Sequence, residues 1–302
     1  MNELDRFRGS LLGLACGDAV GTTLEFKSPG TFSPLTDMIG GGPFQLQPGE
    51  WTDDTSMALC LATSLVETKS FNACDQMDRY LNWYENGYLS SNGLRFDIGR
   101  TTYAALRHYK ETGDPFSGST DPQSAGNGSL MRLSPVVLFF FPDQTKIIYY
   151  SAESSRTTHA APECLEACQL FGEMLYHALG GASKQEILTS CIPEIKLSEA
   201  LSAIAGGKYF DKSKSEIHGT GYVVASLEAA LWSFWMTDTF KKAILTAANL
   251  GDDADTTAAI CGQLAGAYYG ESGIPRQWLE RLVMKEDIGE LAEQLRTTNS
   301  SG

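Results

Sequence analysis

The sequence predicts a mainly α-helical fold, and three observations carry that reading. Long segments repeat apolar residues at helical spacing, alternating strand patterns are scarce, and two segments place small residues at every fourth position. Residues 6–20 set Phe7, Leu11, Leu14 and Ala15 on one side, and residues 56–67 gather Met57, Leu61 and Leu65. Residues 222–236 and 254–269 read the same way. The most strand-like run, residues 136–141, is apolar throughout and stops at Pro142. It fits a strand or a buried helix equally well. The small-residue positions are Gly9, Gly13, Gly17 and Gly21 in one helix and Ala258, Gly262, Gly266 and Gly270 in another. Glycine inside a helix costs ~1 kcal/mol relative to alanine. Four small residues in register therefore call for another backbone passing very close, and the two helices are expected to cross tightly near the centre of the molecule.

Three long irregular stretches interrupt the helices. Residues 28–50 hold Pro29, Pro34, Pro43, Pro48 and the run Gly40-Gly41-Gly42. Residues 113–129 and 206–221 are the other two. Loops of this length in a compact domain are functional or disordered. No internal repeat and no linker-like boundary divides the chain, so residues 1–302 are read as one domain, with 299–302 expected to be a disordered tail.

Composition narrows the function. The chain has 302 residues, 42% of them hydrophobic, and a net charge of −14. A phosphate-backbone binder carries a basic patch, so nucleic acid is excluded as a partner. No uncharged stretch approaches the ~20 residues that span a bilayer, so no stable membrane insertion is expected. The stretch 11–15 before Cys16 resembles a lipoprotein signal only superficially. Glu3 and Asp5 are mixed with Arg6 and Arg8 ahead of it, and Asp18 soon ends the apolar run. The seven cysteines include no Cys-x-x-Cys pair. Cys164 and Cys168 fit a zinc pair or, more commonly, two buried helical thiols. Free thiols in this number suit a reducing compartment, the cytoplasm.

The chemistry-bearing residues lie in a few clusters. Thr52-Asp53-Asp54-Thr55 stands just before an apolar-periodic helix, where an N-cap and an acidic first turn would suffice as explanation. Gly251-Asp252-Asp253-Ala254-Asp255-Thr256-Thr257 opens a second helix. Capping does not need three aspartates in four residues. They repel one another, and Lys241 and Lys242 lie more than two turns upstream. Carboxylates with a threonine hydroxyl suit Mg2+ or Mn2+. Neither cluster alone fills two octahedra. Two such clusters meeting across a cleft would do so, with a bridging carboxylate holding the ions ~3.5–4 Å apart.

Further pieces are weaker singly. Asp18 lies in Gly17-Asp18-Ala19-Val20-Gly21 and reads either as a helix-end carboxylate bonded to neighbouring backbone or as a third acidic element, with Glu25 just beyond it. Asp97 precedes Ile98-Gly99-Arg100 and fits a helix cap. Gly126-Asn127-Gly128-Ser129 is a tight turn whose successive N–H groups can make an anion nest, and Arg132 follows, placed to meet a phosphate or a carboxylate. His159, after Arg156-Thr157-Thr158, is the histidine in a polar, helix-end context, whereas His108 and His177 sit inside helical patterns and His218 in the third loop.

In order along the chain, these pieces resemble the ADP-ribosylglycohydrolase family, most closely its dinitrogenase-reductase-activating branch, the bacterial ADP-ribosyl-arginine hydrolases. The matching segments are residues 8–21, Glu25-Phe26, Trp51 to Thr55, Asp97 to Gly99, Gly126 to Arg132, Thr158-His159, Gly221-Tyr222 and Asn249 to Thr257. The likeness spans residues 6–270, and the ordered set is specific where single motifs are not. It implies a compact all-α, single-domain, multi-helix orthogonal bundle around a dinuclear metal cleft. It implies two divalent cations, Mn2+ or Mg2+, held by Thr52, Asp53, Asp54, Asp253, Asp255 and Thr256. Glu25 matches a position in the family's mobile lid, and Asp97 a carboxylate assigned to acid/base or ring-positioning work. The Gly126, Asn127, Gly128 and Ser129 turn would cradle the diphosphate, and His159 and Tyr222 would line the ADP-ribose site.

The activity so implied is metal-dependent hydrolysis of ADP-ribose from a modified protein, most closely at an N-linked arginine, with ADP-ribose as product. A cationic, planar guanidinium calls for an acidic or aromatic pocket mouth, and Asp97, Tyr222 and Trp51 are the expected border. Two other readings use the same carboxylates: a dinuclear nucleotide pyrophosphatase or phosphodiesterase, and a non-catalytic ADP-ribose-binding module. The intact aspartate motifs weigh against the second.

Overall fold

The small-residue positions organise the molecule. The structure is a computed structural model that describes residues 2–189 and 196–298, so the expected tail, 299–302, lies outside the described residues. Among the described residues fourteen α-helices follow one another: α1 (Glu3–Gly21), α2 (Asp53–Thr68), α3 (Ala73–Asn86), α4 (Arg100–Thr112), α5 (Ser134–Phe140), α6 (Gln144–Arg156), α7 (Pro162–Leu179), α8 (Lys184–Thr189), α9 (Glu199–Ala205), α10 (Val223–Trp235), α11 (Phe240–Ala248), α12 (Ala254–Tyr269), α13 (Arg276–Arg281) and α14 (Lys285–Thr298). The described residues contain no strand, only three isolated bridges.

Helices α1 and α12 run antiparallel in close contact. A Cβ on Gly9, Gly13, Gly17 or Gly21 would collide with the carbonyl oxygen of Gly266, Gly262, Ala258 or Ala254 in turn. The Ser10 hydroxyl donates across the seam to Gln263 O at 3.1 Å. Gly270 closes α12 at φ +74°, a conformation glycine adopts freely. The register matters for function, because it brings the C-terminal end of α1 beside the N-terminal end of α12.

Around this pair the remaining helices share one apolar core, reaching from Phe7 to Leu295. The ambiguous run 136–141 is mostly helix: α5 covers 134–140 and every residue in it is buried. A segment with no polar face shows no period, which is why its sequence did not separate strand from helix. Gln263 of α12 ties down the segment that leads into α5. Its amide accepts from Ser134 N–H at 2.8 Å and donates to Leu130 O and Met131 O at 3.2 and 2.7 Å. Bridges between Gly126 and Tyr222 and between Ser119 and His159 hold the 113–129 loop against two other elements. The 28–50 loop is pinned to Asn249, which accepts from Leu35 N–H at 2.7 Å and donates to Leu35 O at 3.0 Å.

Candidate active site

Three helix ends meet at one place. The α2 N-terminus lacks a cap from its own N-cap residue, Thr52. The Asp18 carboxylate of α1 supplies it instead. It accepts the N–H groups of Thr52 and Thr55 at 2.9 and 3.0 Å and both threonine hydroxyls at 2.9 and 2.6 Å. An N-cap oxygen satisfies the orphan donors of a first turn from within the same segment; here the oxygens come from 34 residues upstream. The structure therefore corrects the view of Asp18 as a carboxylate bonded to its own neighbours. It also commits the Thr52 hydroxyl proton to Asp18, leaving that oxygen's lone pairs facing the site.

Asp53 and Asp54 from α2 face Asp253, Asp255 and Thr256 at the start of α12. The Thr256 hydroxyl lies 3.4 Å from Asp54 Oδ1, and the Thr52 hydroxyl lies 3.5 Å from Asp255 Oδ2. Oxygens of Glu25, Asp97 and Asp255 fall within 4.8 Å of one another. Glu25 and Asp97, assigned by resemblance to lid and acid/base work apart from the ligand set, thus stand with a member of it. Buried oxygens Glu25 Oε2, Asp54 Oδ2 and Asp255 Oδ1 have no hydrogen-bond partner.

Burial, then mutual repulsion, governs the ionisation of this group. Asp53, Asp54 and Asp255 are held well above the usual carboxylate range, first by loss of water and then by neighbouring carboxylates. The same causes push Glu25 up to about 10 and Asp97 up to about 7. Burial raises Asp18 to about 6 against the hydrogen bonds that oppose it. Such a cluster demands protons or cations. Crowded hard oxygens with orphaned lone pairs fit a divalent ion.

Backbone strain collects here too. Phe26, Asp97 and Asp252 are non-glycine residues at φ +61°, +56° and +54°. Phe26 N–H donates to Asp252 O at 2.7 Å and Asp252 N–H to Lys27 O at 2.8 Å, which clamps the segment after α1 to the loop before α12. The N-cap of α4 is Gly99, so Asp97 does not cap that helix. Its left-handed backbone turns it toward the cleft instead.

The opposite wall of this cleft, about 600 Å3 in volume, is formed by Gly126, Asn127, Gly128, Met131, His159 and the start of α4. Within the turn, Gly126 N–H already donates to Ser124 O at 2.7 Å and Asn127 N–H to Gly221 O at 3.1 Å. A nest across all four residues is thereby reduced to its second half. The Asn127 amide donates to Asp253 Oδ2 at 2.7 Å and to Ser226 Oγ at 3.1 Å, linking the two walls. Ser129 points inward, its hydroxyl 2.7 Å from Ser155 Oγ and 3.5 Å from Cys168 Sγ. Tyr222 stands on the outer rim and donates to Glu163 Oε2 at 2.7 Å. Burial, with the Arg132 charge next, pushes the His159 ring down to about 3, so it is neutral.

Two further expectations are corrected, for Arg132 and Trp51, while the cysteine pair takes the commoner of its two readings. Arg132 meets neither phosphate nor carboxylate; it is fully buried beneath the turn, donating to Gly128 O at 2.9 Å and lying 4.6 Å over the Tyr80 ring. Trp51 does not border the mouth: it is buried, with its indole N–H 3.3 Å from Val283 O. The exposed aromatic lining the cleft is Phe26. Cys164 and Cys168 are buried free thiols, Cys164 donating to Gly126 O at 3.3 Å. Glu163 and Ser226 were not visible beforehand, because neither carries any local signal. Each acts through a side chain far away in the chain.

Comparison with known proteins agrees with this architecture. The family model described as ADP-ribosylglycohydrolase matches residues 1–301. The chain is 46% identical over 293 residues to "ADP-ribosylarginine hydrolase Tri1" of Serratia proteamaculans (strain 568), covering 97% of this chain and 79% of that one. It is 34% identical to "ADP-ribosyl-[dinitrogen reductase] glycohydrolase" of Rhodospirillum rubrum, covering 93% and 91%. A solved structure described as "ADP-ribosylglycohydrolase-related protein complex" superposes with a TM-score of 0.88 at 42% identity, over 98% of this chain and 99% of that one. Among the described residues no helix is long and apolar enough to cross a membrane.

Proposed function

The chain belongs to the ADP-ribosylglycohydrolase family, and on that premise we propose that it hydrolyses the N-glycosidic bond joining ADP-ribose to an arginine side chain of a modified protein. The observation that carries this reading is a cleft with unlike walls: crowded carboxylates on one side, and the 126–128 turn with His159 on the other. An ADP-ribosylated arginine is itself two-sided, a guanidinium cation at one end and an anionic diphosphate at the other. Similarity to hydrolases named for ADP-ribosylarginine supports the same linkage.

In this reading Thr52, Asp53, Asp54, Asp253, Asp255 and Thr256 would hold two divalent cations, Mn2+ or Mg2+. When bound, such ions supply Lewis acidity toward the ribose hydroxyls and toward water. The chain's own groups do the rest. Asp18 holds Thr52 and the first turn of α2 in place, and Asn127 orients Asp253. Water supplies the oxygen added at the anomeric carbon as the bond to guanidinium nitrogen breaks, through an oxocarbenium-like transition state. A departing guanidine needs a proton, and Asp97, which lines the cleft beside Glu25 and Asp255, is the carboxyl placed to exchange one. Glu25 adjoins it and bears on the cationic end of the substrate. The Gly128 and Ser129 N–H groups and His159 hold the diphosphate, with Gly126 lining the cleft beside them and Tyr222 at the rim. The modified protein is the partner and ADP-ribose the product. Its six described cysteines are free thiols, which suits the cytoplasm.

The test is a matched pair of peptides carrying ADP-ribose on arginine or on serine, incubated with Mn2+ or with a chelator. Faster release from arginine, stopped by chelation and restored by Mn2+, is expected. A preference for serine overturns the linkage. AMP formed from free ADP-ribose would mark a pyrophosphatase, and binding without turnover a binding module.

A further inference from the structure

Beneath the 126–129 turn a chain of buried groups leads to His159, and two of them, Arg132 and Thr158, are not used by the chemistry above. Arg132 Nη2 lies 2.7 Å from Thr158 Oγ1, which lies 2.8 Å from His159 Nδ1. A guanidinium can only donate, so the Thr158 oxygen accepts from it. That hydroxyl keeps one proton of its own. Thr158 is fully buried, and a buried hydroxyl proton needs an acceptor within the protein. His159 Nδ1 is the acceptor the geometry supplies. An Nδ1 that accepts leaves the ring proton on Nε2.

Nε2 faces the cleft. It lies beside Gly126 and Gly128, where a Cβ on either would come within 3.4 and 3.2 Å of it, and His159 lines the cleft with both. The backbone that carries the ring is held in place. His159 N–H donates to Ser155 O at 2.7 Å, and the Ser155 hydroxyl lies 2.7 Å from His159 O.

We propose that Arg132 and Thr158 act as positioning residues that lock His159 as its Nε2–H tautomer, a fixed neutral donor aimed at a diphosphate oxygen of the ADP-ribosyl group. The identity of that anion rests on the function proposed above; the tautomer does not. Phosphate oxygens only accept, so an Nε2–H attracts where an Nε2 lone pair repels. Depression of the ring's basicity by burial keeps it from charging at physiological pH. Arg132, which carries no ion pair among the described residues, thus acts on the substrate at one remove: its obligatory donation to Thr158 settles the direction of the Thr158–His159 hydrogen bond.

The experiment is a long-range 1H–15N correlation spectrum of the histidine rings in the full chain without ligand, followed by titration with ADP-ribose. The wild-type protein should show His159 as a single Nε2–H tautomer. Thr158→Val removes the hydroxyl at nearly constant volume. It should abolish the single tautomer and weaken ADP-ribose binding about tenfold or more, the loss expected for one hydrogen bond to a charged group. Thr158→Ser should restore both, and in turnover KM should rise by more than kcat falls. An Nδ1–H signal in the wild-type protein overturns the proposal and needs no variant to fold. So does a Thr158→Val protein with unchanged tautomer and unchanged affinity. An Nε2–H signal in a wild-type protein that fails to bind ADP-ribose overturns the ligand assignment and the function it rests on, while leaving the tautomer lock standing.

Discussion

The carboxylate cluster should make the metal-free protein lose stability as the pH rises. A carboxyl whose folded pKa lies above its unfolded value keeps a proton in the native state that the unfolded chain has already released. Stability then falls with pH between the two values. Glu25 ionises near 4.5 in the unfolded chain and is pushed up to about 10 in the fold, and Asp97 moves from 3.8 to about 7. The clean window is pH 6.5 to 8.0. His159, lowered to about 3, contributes the opposite slope only below about 6.5, where the unfolded ring charges. Lys184, lowered to about 8, contributes an opposite slope only above that. Each retained proton is worth ~1.4 kcal/mol per pH unit. One to two retained protons over this window cost ~2–4 kcal/mol. A chain of 302 residues unfolds with an entropy of ~0.6 kcal/mol/K, so Tm should drop by ~3–6 °C. Scanning calorimetry in the presence of a chelator measures this. Saturating Mn2+ favours the ionised carboxylates, so it should raise Tm more at pH 8.0 than at 6.5. A metal-free Tm that is flat or rises across the window would refute the clustering argument.

The other expectations concern single residues. Asp255→Ala should lose most of the Mn2+-induced rise in Tm, read by the same calorimetry; an undiminished rise would remove Asp255 from the ligand set. Asp18→Asn replaces two acceptor oxygens by one and brings an NH2 group against the N–H of either Thr52 or Thr55, which should destabilise the protein by ~2–4 kcal/mol and weaken Mn2+ binding in a calorimetric titration. Asn127→Ala removes the donor to Asp253 Oδ2 and should lower Mn2+ affinity as well as ADP-ribose affinity; a loss confined to ADP-ribose would show that the amide serves the substrate alone. Gly262→Ala gains ~1 kcal/mol of helix propensity but drives a Cβ into Gly13 O, so a net loss of ~2 kcal/mol and a Tm lower by ~3 °C are expected on thermal melting.

Features whose causes are local were legible from the chain alone. Periodicity placed α12 at its observed bounds, because an amphipathic or small-residue stripe needs only its own sequence to declare itself. The small residues on α1 and α12 announced a close crossing, since nothing else repays four such positions in register. The acidic helix start at Asp253 was likewise visible as excess charge that capping does not require, whereas Asp53 and Asp54 by themselves read equally well as an acidic first turn. Their meeting was not visible, and neither was the direction of any side chain that finds its partner far away. Only the tertiary structure decided that Asp18 caps a helix 34 residues later. Only it decided that Glu25 and Asp97 stand with Asp255, that Ser129 turns inward, and that Trp51 and Arg132 are buried. The physical reason is common to all of these. A polar or aromatic side chain takes whichever environment satisfies its hydrogen bonds and buries its apolar surface. For these residues that environment is built from α1, α2, α3, α6, α7 and α12 and the loops between them, and it exists only once the helices have packed.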